Sequence, residues 1–316
     1  MEQEGNCMRV AISGSSGLIG KALADDLCVQ GYSIIRVSRE GRRVSSDCVT
    51  VGVTPNDDVR RTLDGIDAFI HLAGETISSR WTKSKKAAIF DSRVEYTREV
   101  VALLSGLANP PKTLLTASAV GIYGDRNDES LSEDKVIDAT PDADGVYRRS
   151  DFLVHVCREW EAAAGLAEKA GIRVVCLRFG AVLSKIGGAL PLMAAPFKFG
   201  LGGVVGSGRQ YLSWTSLDDA IGAARYALLE MNLCGPVNIV SPNPVTNDEF
   251  TKILGRVLRR PTLFHLPAFA ARLVFGELAD GLLLSSQRAV PKALLTSGYE
   301  FQHPYIEDVL RKAFAR

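Results

Sequence analysis

The chain has 316 residues, is 46% hydrophobic, and carries 37 Lys and Arg against 36 Asp and Glu. That length and apolar share are ample for a large core, and the near-zero net charge argues against nucleic acid or an anionic membrane as the main partner. No apolar stretch reaches the roughly 20 residues that a membrane span needs. The polar, acidic start shows no signal peptide, and six dispersed cysteines without a CxxC pair read as the reduced thiols of a cytoplasmic protein. The histidines, His71, His155, His265 and His303, lack ligand spacing, so no metal is expected.

The first predicted element is a strand over Met8–Ser13. It runs directly into Gly14-Ser15-Ser16-Gly17-Leu18-Ile19-Gly20, and an amphipathic helix then continues to Gln30, closed by Gly31. A second strand over Tyr32–Ser38 completes a β-turn-α-β unit, the context that turns a glycine trio into a dinucleotide cradle. Gly14 permits the tight turn, Gly17 lets the main chain approach a pyrophosphate, and Gly20 lets the helix pack close to the strand. The spacing is GxxGxxG rather than GxGxxG. Unpartnered amides and the helix dipole favour negative charge at the helix start.

The second strand ends Ser38-Arg39-Glu40, with Arg42 and Arg43 close behind. A guanidinium fork and a hydroxyl suit a 2′-phosphate, so NADP(H) is expected, with Ser38 and Arg39 as contacts. The competing reading turns Glu40 inward to bind NAD.

Further strands are predicted over 49–53, 67–73, 112–118 and 172–178, with helices over 83–105, with an allowance for a break, and 152–170. This alternation predicts an α/β protein, a Rossmann-type doubly wound parallel sheet with its ligand outside the carboxyl ends of the strands. Beyond Ser184, glycines and prolines crowd a stretch around a short helix over 190–199. Helices follow over 218–231 and 247–258, a strand over 237–240, and helical stretches after Pro261. Residues 8–184 therefore read as the NADP-binding domain. Residues 185–316 read as a smaller, substrate-covering C-terminal α+β lobe, with 236–241 returning to the sheet region.

Several fragments carry a resemblance. Gly14–Gly20, His71-Leu-Ala-Gly74, Thr116–Gly124 and Arg178–Ser184 resemble the extended short-chain dehydrogenase/reductase superfamily. Ala73-Gly74-Glu75, Asp91-Ser-Arg93, Phe152–Glu161, Gly187–Leu190, Gly200–Gly203 and Gly206–Gln210 narrow it to the atypical branch called epimerase family protein, nucleoside-diphosphate-sugar epimerase-like. Its members end in a small domain of unknown function, which 260–310 resembles. The resemblance implies NADP(H) binding by the glycine loop, Ser38 and Arg39, Leu72, Ala73 and Gly74 after the fourth strand, and Arg93 on the following helix. It also implies a small carbonyl compound or sugar nucleotide as substrate.

Ordinary members of that superfamily use a serine with a tyrosine and lysine spaced YxxxK, where the ammonium lowers the phenol's pKa. Ser118 fits the serine position, but the helix Ser150–Arg158 holds no such pair, and Tyr147 is followed four residues later by Asp151. Two readings result. An oxidoreductase or epimerase could use Ser118 and Tyr123, with His155 or Arg158; or the chain binds NADP(H) as a regulatory protein, for example of cell division. Where many relatives carry a Trp-Ile-His-Ile-Asp-like stretch, this chain has Trp214-Thr-Ser-Leu-Asp218, which excludes that imidazole from any mechanism. Arg209, Gln210 and Trp214 are the substrate-pocket candidates, the arginine for an anionic group and the indole for ring stacking. A monomer or homodimer is expected.

Overall fold

The computed structural model describes residues 7–38, 49–51, 57–135 and 152–315. Arg39, Glu40, Arg42, Arg43, Tyr147 and Asp151 lie outside them. Among the described residues seven strands form one fully parallel sheet: β1 (Arg9–Ser13), β2 (Ser33–Val37), β3 (Val49–Val51), β4 (Ala68–His71), β5 (Thr113–Ala119), β6 (Arg173–Phe179) and β7 (Gly235–Ile239). Their order is β7-β6-β5-β4-β1-β2-β3, which reverses direction beside β1. A ligand belongs in the crevice at such a switch point.

The strands are short apolar runs because both faces are covered. Their side chains alternate between two cores. Val10, Ile12, Ile70, Leu115 and Val175 meet Leu23 and Leu27 of α1 (Leu18–Val29) and Ala224 and Leu228 of α7 (Leu217–Leu229). Ala11, Ile35, Phe69, Leu114 and Val174 meet Leu63 of α2 (Asp57–Leu63) and Val100 and Leu104 of α4 (Val94–Ser105). The predicted 83–105 helix is two helices, α3 (Lys83–Asp91) and α4, with Arg93 in the break between them.

The C-terminal part has its own core. Leu190 and Phe197 of α6 (Ala189–Lys198), Phe250 and Leu254 of α8 (Asn247–Leu258), and Ile306 and Leu310 of α11 (Ile306–Phe314) close around Trp214. This part is tied to the sheet by charge as well as packing. Buried Asp219, on α7, accepts from the Gln302 and His303 amides at 2.7 and 3.0 Å. Ser216 is the N-cap of α7 and accepts from the Asp219 amide at 2.9 Å. Among the described residues no helix is long and apolar enough to cross a membrane.

Candidate functional site

The cradle begins with backbone geometry. Gly14 has φ +73°, and a Cβ built there would lie 2.6 Å from the Ala73 nitrogen and 2.7 Å from the Leu72 oxygen. At Gly20 a Cβ would lie 2.2 Å from the Gly14 oxygen. Both are steric requirements for glycine. The Gly17 amide closes the turn onto the Gly14 carbonyl at 3.0 Å, and no side chain caps the start of α1. The first-turn amides therefore have no side-chain cap and face the crevice. Arg36 on β2 buttresses the turn by donating to the Ser15 carbonyl at 3.2 Å and to Asp25 at 3.3 Å. Ser16 and Gly17 lie exposed at the rim.

A cleft of about 370 Å³ opens beside this turn. Leu18, Ile19 and Gly20 form one wall, Leu72, Gly74 and Glu75 with Thr76–Ser78 the other, and Ala117 and Phe179 come from the sheet's carboxyl edge. Arg93 reaches in from the helix break. Its guanidinium lies 5.2 Å from the Trp160 ring and donates to the Ile89 carbonyl at 3.3 Å. Among the described residues it has no carboxylate within 4 Å. Burial pulls its pKa below the ordinary arginine value. Glu75 attracts the group from farther off, and a partly buried guanidinium with no carboxylate in ion-pair contact marks where an anion fits. Gly74 leaves it room, since a Cβ there would sit 3.3 Å from the Arg93 guanidinium carbon. At the end of β2, the Ser38 hydroxyl is buried with no hydrogen-bond partner among the described residues, as a group that meets its partner on a ligand would be.

His71 closes β4 opposite Ser13 of β1, its Nδ1 2.6 Å from the Ser13 hydroxyl. Its Nε2 is buried, with no hydrogen-bond partner among the described residues, and the ring lies 5.1 Å from that of Tyr96. Burial drives its pKa from 6.5 down to about 3, so the ring is neutral in the folded protein and takes a proton far earlier when unfolded. This contribution to stability is complete above pH 6.5 and falls by about 1.4 kcal/mol per pH unit as the pH drops from there towards 3. Urea unfolding of wild type and His71→Gln between pH 6.5 and 4 is expected to show this slope in the wild type and a correspondingly flatter one in the variant.

The structure places Ser118 and Tyr123, the expected catalytic pair, outside the lining of this cleft. Strand alternation is the reason: Ala117 faces the cleft, so its neighbour Ser118 points to the opposite side of the sheet. There its hydroxyl donates to Glu161 at 2.6 Å. Arg178 forks onto both Glu161 oxygens at 2.8 Å and donates to the Tyr123 hydroxyl at 2.9 Å, which donates onward to Asn238 at 2.9 Å. Burial raises the Tyr123 pKa against the pull of Arg178, so this phenol is not activated for proton exchange.

The substrate candidates Arg209, Gln210 and Trp214 lie away from this cleft too. Trp214 is fully buried, with its indole N–H on the Asn243 carbonyl at 2.9 Å, and presents no ring face to a ligand. The Gln210 amide is buried and ties the Val205 and Leu283 carbonyls together. Arg209 is exposed, and none of the three lines the cleft. His155 stacks on Phe90 at 5.6 Å.

Sequence reading missed the part played by Glu161. The signal was there: Leu153, Cys157 and Glu161 share one face of α5 (Phe152–Gly165) at i, i+4 spacing, and Arg178 interrupts an apolar strand. Two opposite charges on otherwise apolar surfaces call for each other.

A family model described as the NAD dependent epimerase/dehydratase family matches residues 10–239, and one for a domain of unknown function, DUF1731, matches 266–313. An epimerase family protein of Mycobacterium bovis is 41% identical over 310 residues, covering 97% of this chain and 98% of its own. Epimerase family protein YfhF of Bacillus subtilis is 38% identical over 314 residues, 98% of each chain. A crystal structure of human epimerase family protein SDR39U1 with NADPH superposes with a TM-score of 0.84 at 31% identity, over 97% of this chain and 99% of that one.

Proposed function

Because the chain belongs to the NAD dependent epimerase/dehydratase family, we propose that it binds NADP(H) along the carboxyl edge of its sheet and serves as an oxidoreductase or epimerase-type enzyme for a small carbonyl compound or sugar nucleotide. The observation that carries this reading is the cradle in which Gly14 and Gly20 leave no space for a Cβ and α1 starts without a side-chain cap. The residues present suit the cofactor. The first-turn amides of Leu18 and Ile19 and the Arg93 guanidinium would hold its diphosphate, with Ser15, Ser16 and Gly17 at the rim. Leu72, Ala73 and Gly74 would flank it, and Ser38 with Arg39 would take the 2′-phosphate. The human relative whose structure contains NADPH supports the same choice. When bound, the nicotinamide supplies a hydride donor or acceptor.

Substrate belongs in the cleft between Ala117 and the 74–78 segment. Proton exchange there falls to the polar groups that line it, Glu75, Thr76 and Ser78, rather than to Ser118 and Tyr123, which are engaged elsewhere. Glu75 is the ionisable member and accepts from Lys85 at 2.5 Å.

Calorimetric titration with NADPH and with NADH tests the proposal. Wild type should bind NADPH more tightly. Arg39→Ala should weaken NADPH by about tenfold or more and leave NADH nearly unchanged, since a charge-assisted contact contributes roughly 1.5–3 kcal/mol. Equal losses would remove the 2′-phosphate assignment, and no heat with either nucleotide would remove the proposal.

A further inference from the structure

A net charge of +1 hides a local excess at the end of α8. Lys252, Arg256, Arg259 and Arg260 surround an open depression of about 630 Å³. Lys252 is answered by Asp248 at 2.5 Å and Arg256 by Glu307 at 3.6 Å. Arg259 and Arg260 are exposed and have no carboxylate within 4 Å among the described residues. The turn that displays them is fixed. Arg259 ends α8 in the left-handed region, with φ +54°, and a Cβ on Gly255 would lie 2.4 Å from Thr262, so the chain returns hard against the helix.

Exposed large apolar residues follow those arginines in the chain. Leu263 is 87% exposed and Phe264 54%. Strand residues 203–205 pair in parallel with 264–266, Gly203 opposite Phe264, so the residue pairs just before them leave the same edge. The chain approaching that partner strand holds Phe199, 82% exposed, and Leu201, 58% exposed. Isolated exposed apolar residues need no explanation. Four of them on or just before two paired strands, with two arginines that have no carboxylate within 4 Å among the described residues close by in the chain, form the pattern of a surface that dips side chains into a lipid interface and holds phosphates at its rim.

We propose that this edge, with Arg259 and Arg260 as the cationic rim and Leu201, Leu263 and Phe264 as the inserting side chains, docks the protein peripherally on an anionic phospholipid bilayer. Charge decides between a bilayer and a second copy of the chain. A two-fold contact would set this basic rim near its own counterpart, whereas a bilayer of anionic lipid supplies the missing counter-charge. The inference goes beyond the cofactor reading and does not depend on it.

The full chain is incubated with sedimentable vesicles of phosphatidylcholine alone or mixed with phosphatidylglycerol. Binding is expected only to the anionic vesicles, and to weaken with added salt. The R259A/R260A double variant should bind about thirtyfold more weakly, at about 1 kcal/mol per arginine near the surface. L263S/F264S should lose binding that salt removal does not restore. Circular dichroism melts check that both variants fold; the lipid-charge and salt dependence of the wild type stands as a test without them. Equal binding to neutral vesicles, no binding to anionic ones, or unaltered binding by the folded variants would overturn the proposal. So would sedimentation equilibrium showing a wild-type dimer that these substitutions dissociate, which would assign the edge to a second copy.

Discussion

Glu161→Ala is expected to lower the unfolding free energy by about 3–5 kcal/mol, because it strands Arg178 in the core without its anion. The pair is buried: the Arg178 side chain is 4% exposed and that of Glu161 15%. Burial opposes the Arg178 charge, but hydrogen bonding and Coulomb attraction to Glu161 and Tyr123 together outweigh it and hold the guanidinium above its ordinary pKa. Deleting the carboxylate also orphans the Ser118 hydroxyl. The damage should spread. Arg178 positions Tyr123, and Tyr123 positions Asn238, whose amide holds the Leu131 and Val290 carbonyls at 3.2 and 2.9 Å. The network thus joins β5, β6 and β7 to the C-terminal segment. Urea unfolding measures the loss. Replacing both charges, as in E161M/R178M, should recover much of it, because an apolar pair leaves no buried ion unanswered. A single variant as stable as wild type would show that water reaches Arg178.

Gly14→Ala and Gly20→Ala are expected to damage binding and stability together. At Gly14 an alanine must adopt a left-handed backbone, costing about 1–2 kcal/mol, and its Cβ also meets the Leu72–Ala73 peptide at 2.6 Å. Relieving that contact adds about 1–3 kcal/mol, so a total near 3 kcal/mol is expected by thermal unfolding. At Gly20 the obstacle is the Gly14 carbonyl, 2.2 Å from the added carbon, with the Gly14 carbonyl carbon at 2.8 Å. Backbone has no rotamer to yield with, so the turn must move and its amides lose their aim. Two misdirected charge-assisted contacts correspond to roughly a hundredfold loss of NADPH affinity, read by calorimetry. Wild-type affinity in Gly20→Ala would mean that the dinucleotide does not rest on this turn.

The cradle was legible because everything it needs is contiguous. A strand, three glycines and a helix follow one another within a few turns of chain, and local sterics dictate their geometry. The break holding Arg93 and the α8 boundaries were equally local. The surroundings of Ser118, Tyr123 and Trp214, which lie off the cleft, were not legible, for the opposite reason. Each is a polar or aromatic residue near the sheet's carboxyl edge, and such residues belong equally to a cleft or to the packing behind it. Their partners lie far along the chain: Glu161 is 43 residues from Ser118, and Asn238 is 115 from Tyr123.

By itself, the order of residues determined a Rossmann-type α/β fold and a glycine turn shaped for a dinucleotide, since backbone sterics and hydrophobic period act over neighbouring positions. Tertiary structure alone decided which side of β5 Ser118 faces, that Glu161 answers Arg178, that Trp214 is core, and that Arg93 enters the cleft with no carboxylate in ion-pair contact among the described residues. Those outcomes depend on which distant groups burial brings within hydrogen-bond reach, where an unpaired charge or hydroxyl is too costly to leave unanswered.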